Sequence, residues 1–161
     1  SSLAAAEVAQ MNGHYDADGY HPSTAVHAGV AIALRGGGLV APALHDTDSL
    51  PIDELMEQMR DVVARARAGR LRSSEMVDGT ITVSAMGDTG ADAMAAVIYP
   101  PQVAIVGFGA PVFRPWIAGD TIVPRMTVTV TLSADHRVSD GRRGAKFLAA
   151  VNAALQTPEA L

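Results

Sequence analysis

Apolar and hydroxyl side chains alternate through Met126-Thr127-Val128-Thr129-Val130-Thr131-Leu132, a pattern that predicts a half-buried strand. Further on, Phe147, Leu148, Val151 and Leu155 recur at helical spacing, so the intervening residues form a corner between a strand and a helix. A second helix is predicted over residues 50–67, where Ile52, Leu55, Met56, Met59, Val62, Val63 and Ala66 form an apolar stripe. Asp48 or Ser49 can cap it, Pro51 suits its first turn, and Gly69 ends it. The nearly continuous apolar run 25–34 predicts a strand covered on both faces; Arg35 and three glycines then turn the chain into a second strand over 39–44. Residues 79–87 alternate again, with Ile81 and Val83 inward and Thr80, Thr82 and Ser84 opposite, facing solvent or another subunit. Residues 103–109 predict a short buried strand in which Gly107 and Gly109 allow close backbone approach, and residues 112–117 and 121–132 pair as a hairpin. The Ala-rich first ten residues suit a helix.

Composition narrows the function classes. A length of 161 residues suggests one domain, with 48% apolar and 18% charged residues and a core built mainly from aliphatic side chains. The net charge of −5 argues against a nucleic-acid partner and against a basic membrane surface. Without cysteine there is no disulfide and no thiolate chemistry, and no apolar run reaches membrane length, so the chain reads as a soluble, cytoplasmic bacterial protein. His14, Asp16, Asp18 and His21 lie in a segment dense in turn formers; their spacing fits neither a zinc site nor a calcium loop, and a solvated hairpin is expected, with no metal. The triple glycine precedes a strand rather than a helix N-terminus, which favours a hairpin over a phosphate cradle.

The corner itself reads Ser133-Ala134-Asp135-His136-Arg137-Val138-Ser139-Asp140-Gly141. This string resembles the catalytic domain of the dihydrolipoyl acyltransferases, core subunits of 2-oxo acid dehydrogenase complexes within the chloramphenicol-acetyltransferase-like superfamily. Gly38-Leu39-Val40-Ala41-Pro42, the run from Gly79 to Ser84 with Gly87 and Gly90, and Tyr99-Pro100-Pro101-Gln102-Val103-Ala104-Ile105 resemble the same family in the same order. The resemblance implies an α/β fold, a mixed sheet with helices packed on one side, forming a trimer and lacking the N-terminal part of the domain. It implies coenzyme A as acceptor, a lipoyl group carried on a separate domain, and the decarboxylase and dihydrolipoyl dehydrogenase subunits as partners. Assembly of trimers into a larger cubic or icosahedral core is left open. Ala85 and Tyr99 stand where the family usually has Asn, and Arg142-Arg143 where it has small residues.

Moving an acyl group between thiols is thioester exchange, and a thiol of pKa near 8.5 needs a base at neutral pH. His136 is the candidate general base. By resemblance, the hydroxyl of Ser84 stabilises the oxyanion from across a subunit boundary. Asp140 supports the site by pairing with an Arg such as Arg137, by orienting the imidazole, or by capping the last helix. Arg142 and Arg143 place positive charge at a helix N-terminus and are weak candidates for a coenzyme A phosphate or a neighbouring carboxylate. Rival readings are a non-catalytic scaffold core, a free-standing acyltransferase acting on a small hydroxyl or amine, and a serine hydrolase, for which no strained nucleophile turn is present.

Overall fold

A computed structural model describes residues 1–87 and 90–158. Its centre is a five-stranded sheet built from β3 (Ala28–Val30), β6 (Ala43–Leu44), β7 (Ile81–Ala85), β8 (Ala104–Phe108) and β11 (Val130–Ala134), in the order β11-β8-β7-β3-β6. The three middle strands run parallel and both edge strands are antiparallel, which is the expected mixed sheet.

The twofold alternation of strand side chains decides what each face packs against. Ile81, Ala104 and Val106 meet Ala4, Ala5 and Val8 around α1 (Ser2–Glu7), and Phe147 and Val151 of α4 (Gly141–Gln156). Phe147 and Val151 are buried there and Leu148 is half-buried, whereas Leu155 at the end of the helix is exposed, so the predicted stripe of the last helix is buried except at its C-terminal end. A second cluster joins Val62 and Ala66 of α2 (Ile52–Arg67) to Ile32 and Leu44.

Of the hairpins that stand on this frame, two are the larger. β1 (Gly13–Asp16) and β2 (Gly19–Pro22) form the expected turn, in which the exposed His21 and Asp16 side chains bond at 3.0 Å. β9 (Val112–Ala118) and β10 (Thr121–Thr127) form the other, with register pairs Met126–Phe113, Pro124–Pro115 and Ile122–Ile117. Those six residues share one face, which is apolar throughout and open to solvent in the protomer.

Several expectations are corrected. The continuous strand over 126–132 is two strands: β10 ends at Thr127, Val128 and Thr129 turn the chain, and β11 enters the central sheet beside β8. The apolar run 25–34 is likewise split into β3 and β4 (Ile32–Ala33), and 39–44 into β5 (Leu39–Val40) and β6, because each half pairs with a different partner. Pro51 takes the N-cap position of α2; Asp48 instead accepts from the Val26 amide, and the Ser49 hydroxyl donates to the Asp46 carbonyl. The α2 stripe is buried only at its C-terminal end, with Ile52 and Met56 exposed. The short helix α3 (Ser73–Val77) had no periodic signal. Of the Gly87–Gly90 stretch, Asp88 and Thr89 lie outside the described residues.

Candidate active site

The hydroxyl face of β7 is the first half of the site, and the structure separates its members. Thr80 and Thr82 are buried, not turned to solvent or to another subunit: Thr80 donates to Asn12 Oδ1 at 2.6 Å and accepts from the His27 amide, while Thr82 donates to Gln102 Oε1 at 2.6 Å. Two buried hydroxyls left unpaired would each be costly, so these partners let the strand sit in the interior. Ser84, towards the C-terminal end, lines a cavity of about 320 Å³ that Thr82 also borders. The Ser84 hydroxyl has no hydrogen-bond partner among the described residues. Apart from the already paired Thr82, the walls are mainly apolar, with Met94, Val97, Tyr99 and Ile105 prominent. Tyr99 is an exposed part of this lining, and Ala85 at the end of the strand is exposed as well.

Glycines make room for that wall. A Cβ on Gly107 would sit 2.6 Å from Met94 Cγ and 2.7 Å from Thr131 Oγ1, and one on Gly109 would collide with the Asp92 carbonyl. The close approach read from the sequence is therefore real.

The second half is the corner. After Ala134 the chain makes one turn, in which the amides of Val138 and Ser139 both donate to the Asp135 carbonyl at 3.0 Å, and α4 begins at Gly141. Asp140 is the N-cap, its carboxylate accepting from the Arg143 amide at 2.9 Å. That backbone donor is the main reason its carboxyl is held below the usual carboxylate range; Arg143 and His136 add smaller electrostatic effects. The expected Asp140–Arg137 pairing does not form, because Arg137 closes a fork on Asp135, with Nη2–Oδ2 at 2.6 Å and Nε–Oδ1 at 3.0 Å. His136 is exposed between these fixed neighbours, and its ring makes no hydrogen bond among the described residues. Arg143 lies 3.9 Å from Asp140, and Arg142 is exposed, without an ion pair among the described residues.

Ser84 and His136 do not meet within one protomer. Ser84 is level with Gly107, and Gly107 with Thr131, whereas β11 reaches His136 only after Ala134. Three residues along the sheet and two strands across separate Ser84 from Ala134 by about 10 Å in each direction. His136 is not part of the lining of the Ser84 cavity. Sequence reasoning missed the Asp135–Arg137 fork, although its spacing of two residues was visible, and missed Tyr15, whose ring lies under Arg137 with no sequence signal to announce it.

Residues 1–161 match the family described as 2-oxoacid dehydrogenases acyltransferase (catalytic domain). A curated relative, the dihydrolipoyllysine-residue acetyltransferase component of the pyruvate dehydrogenase complex of Zymomonas mobilis, is 35% identical over 98% of this chain, which spans only 36% of that protein. Among solved structures, the dihydrolipoamide acetyltransferase of Azotobacter vinelandii, studied for the roles of a serine, a histidine and an asparagine in its catalytic mechanism, superposes with a TM-score of 0.91 at 26% identity, covering 98% of this chain and 65% of that one. A chloramphenicol acetyltransferase shares the fold at a TM-score of 0.62 and 14% identity, over 94% of this chain and 72% of the other. The family match over the full 161 residues, on a sheet and a His-bearing corner of this architecture, shows that the chain belongs to the catalytic-domain family of the 2-oxoacid dehydrogenase acyltransferases.

Proposed function

We propose that this domain moves an acyl group from the sulfur of a dihydrolipoamide arm to coenzyme A within a 2-oxo acid dehydrogenase complex in the bacterial cytoplasm. The observation that carries the reading is the occurrence of two groups without a hydrogen bond among the described residues: the imidazole on a pinned corner, and a hydroxyl opening into an apolar cavity. Each group is free to serve a neighbour in this reading. His136 of one protomer and Ser84 of the next form one site in a homotrimer, and the apolar face of the β9–β10 hairpin offers surface for that assembly.

In the forward reaction His136 takes the proton from the coenzyme A thiol as its sulfur attacks the thioester carbonyl. The carbonyl oxygen becomes an oxyanion, to which the Ser84 hydroxyl donates. Collapse breaks the bond to the dihydrolipoamide sulfur, which leaves as the thiol with the proton returned by His136. Asp140 serves by fixing the start of α4 behind the corner; in the Azotobacter enzyme the third residue studied is an asparagine, which can cap a helix equally well. Arg142, with no carboxylate partner among the described residues, is the better of the two arginines for a coenzyme A phosphate. Among the described residues no helix is long and apolar enough to cross a membrane.

Coenzyme-A-dependent deacylation of acyl-dihydrolipoamide by the full-length protein tests this. His136→Ala is expected to lower kcat by about 10²- to 10⁴-fold, and Ser84→Ala by about 10²-fold, with the assembly intact. A correctly assembled protein that transfers nothing to coenzyme A would leave the scaffold reading standing instead.

A further inference from the structure

We propose that Tyr15 is a positioning residue for His136, acting through Arg137; the inference rests on the acyl-transfer reading for its kinetic consequence but on geometry for its substance. The His136 imidazole makes no hydrogen bond among the described residues, so its aim depends on the backbone to either side. On the N-terminal side, the Asp135 amide donates to the Val103 carbonyl at 2.8 Å, tying the corner to the end of β8. On the C-terminal side, the Arg137 amide donates to Asp135 Oδ1 at 2.9 Å, which fixes the peptide joining His136 to Arg137. The Asp135 carboxylate holds that amide and the Arg137 guanidinium at once, so the carboxylate and the loop backbone move together.

The guanidinium is a flat plate with two faces and a rim of five N–H donors. Nε and Nη2 on that rim are spent on Asp135, and one face lies on the Tyr15 ring, with the central carbon 3.8 Å from the ring centroid. Tyr15 is itself fixed. Its amide donates to the Pro101 carbonyl at 2.7 Å, and β1 pairs with β2 through Tyr15–Tyr20. The ring is therefore a backstop set by a separate hairpin, and it stops the exposed Asp135–Arg137 fork from swinging into solvent and taking the loop with it. The Tyr15 hydroxyl makes no hydrogen bond among the described residues, so the aromatic face alone carries the effect.

Tyr15→Leu keeps apolar bulk and removes the face. In the full-length assembly, kcat for acyl transfer should fall roughly tenfold, with KM for both substrates changed less than about twofold, since binding is untouched and only the aim of the base is lost. Hydrogen exchange of the peptide spanning residues 135–139 should quicken, while the unfolding midpoint stays close to that of the parent. Tyr15→Phe and Tyr15→Trp retain the face and should restore both kcat and slow exchange. Equal kcat and exchange in Tyr15→Leu and the parent, or a Phe variant as impaired as the Leu variant, would overturn the proposal. His136→Ala in the same assay separates the two readings: if it abolishes transfer while Tyr15→Leu does nothing, the clamp is wrong and the chemistry stands. If the parent itself transfers nothing to coenzyme A the acyl-transfer reading is wrong, and if His136→Ala remains active His136 is not the base; in either case the exchange measurement still decides whether Tyr15 orders the loop.

Discussion

Two forks of the same chemistry sit at opposite ends of this protein. Arg65 grips Glu75 through both guanidinium nitrogens at 2.6 Å, and Arg137 grips Asp135 through a similar pair of contacts. Their surroundings differ. Arg65 and Glu75 side chains are 19% and 7% exposed, whereas Arg137 is 63% exposed over an Asp135 at 15%. The first fork joins α2 to α3, with Glu75 also accepting from the Arg72 amide and Asp61 taking the third edge of Arg65. The second joins nothing but its own loop, and touches Tyr15. In a poorly hydrated place the pair stabilises the fold because water competes little for either charge; at the surface water competes for both, and what remains is geometry.

The largest effect expected from this contrast is on the buried fork. The Arg65 guanidinium, and then the Arg72 amide, hold the Glu75 carboxyl down at about 2 against its ordinary 4.5. A depression of that size corresponds to at most about 3 kcal/mol, and hydration along the exposed Asp61 edge brings the expected cost of Glu75→Gln to about 2 kcal/mol in urea unfolding. Because the folded value lies below the unfolded one, the stabilisation is complete above about pH 5 and drains away as pH falls towards 2. The acid limb of the parent's stability curve should therefore be steeper than that of Glu75→Gln, and parallel limbs would show the pair to be idle.

The surface fork should respond in the other currency. Arg137→Ala is expected to move the unfolding midpoint by only a small fraction of the Glu75→Gln shift, yet to lower kcat by roughly tenfold, like Tyr15→Leu. The Asp135 carboxyl is held below its usual range, first by the Arg137 hydrogen bonds, so the fork persists until the pH drops below the ordinary carboxylate range. A stability loss at Arg137 as large as that at Glu75 would erase the distinction between the two.

How far the sequence discloses these features follows from the range of the interactions involved. The stripes of α2 and α4 and the alternation of β7 are local patterns, and they locate the elements and one face of each. Nothing local says what covers the other face: the hydroxyls of Thr80 and Thr82 look solvated until Asn12 and Gln102 arrive from elsewhere in the chain. The breaks at Ala31, at Ala41-Pro42 and at Val128-Thr129 are set by a change of pairing partner, not by composition. His136, Ser84 and Asp140 were legible through their resemblance to a family motif. Glu75 under Arg65 and Tyr15 under Arg137 depend on tertiary proximity that no periodicity encodes.

Asp140 offers the smallest and most discriminating test, because here a carboxylate grips a backbone amide where the forks grip a guanidinium. If capping is its whole contribution, Asn or Ser can replace it, each with a side-chain oxygen for the Arg143 amide and no charge. Asp140→Asn should then keep kcat within about threefold of the parent, while Asp140→Ala, which frees the first turn of α4 and loosens the corner behind His136, should lose more. The lowered carboxyl of Asp140 gives the parent a small stability increment that is lost as pH drops below the ordinary carboxylate range, and Asp140→Asn should lack that increment's pH dependence while retaining the cap. An Asn variant as slow as the Ala variant would mean that the negative charge beside the imidazole matters to the reaction, and Asp140 would then have to be counted with the charged groups that act on His136 directly.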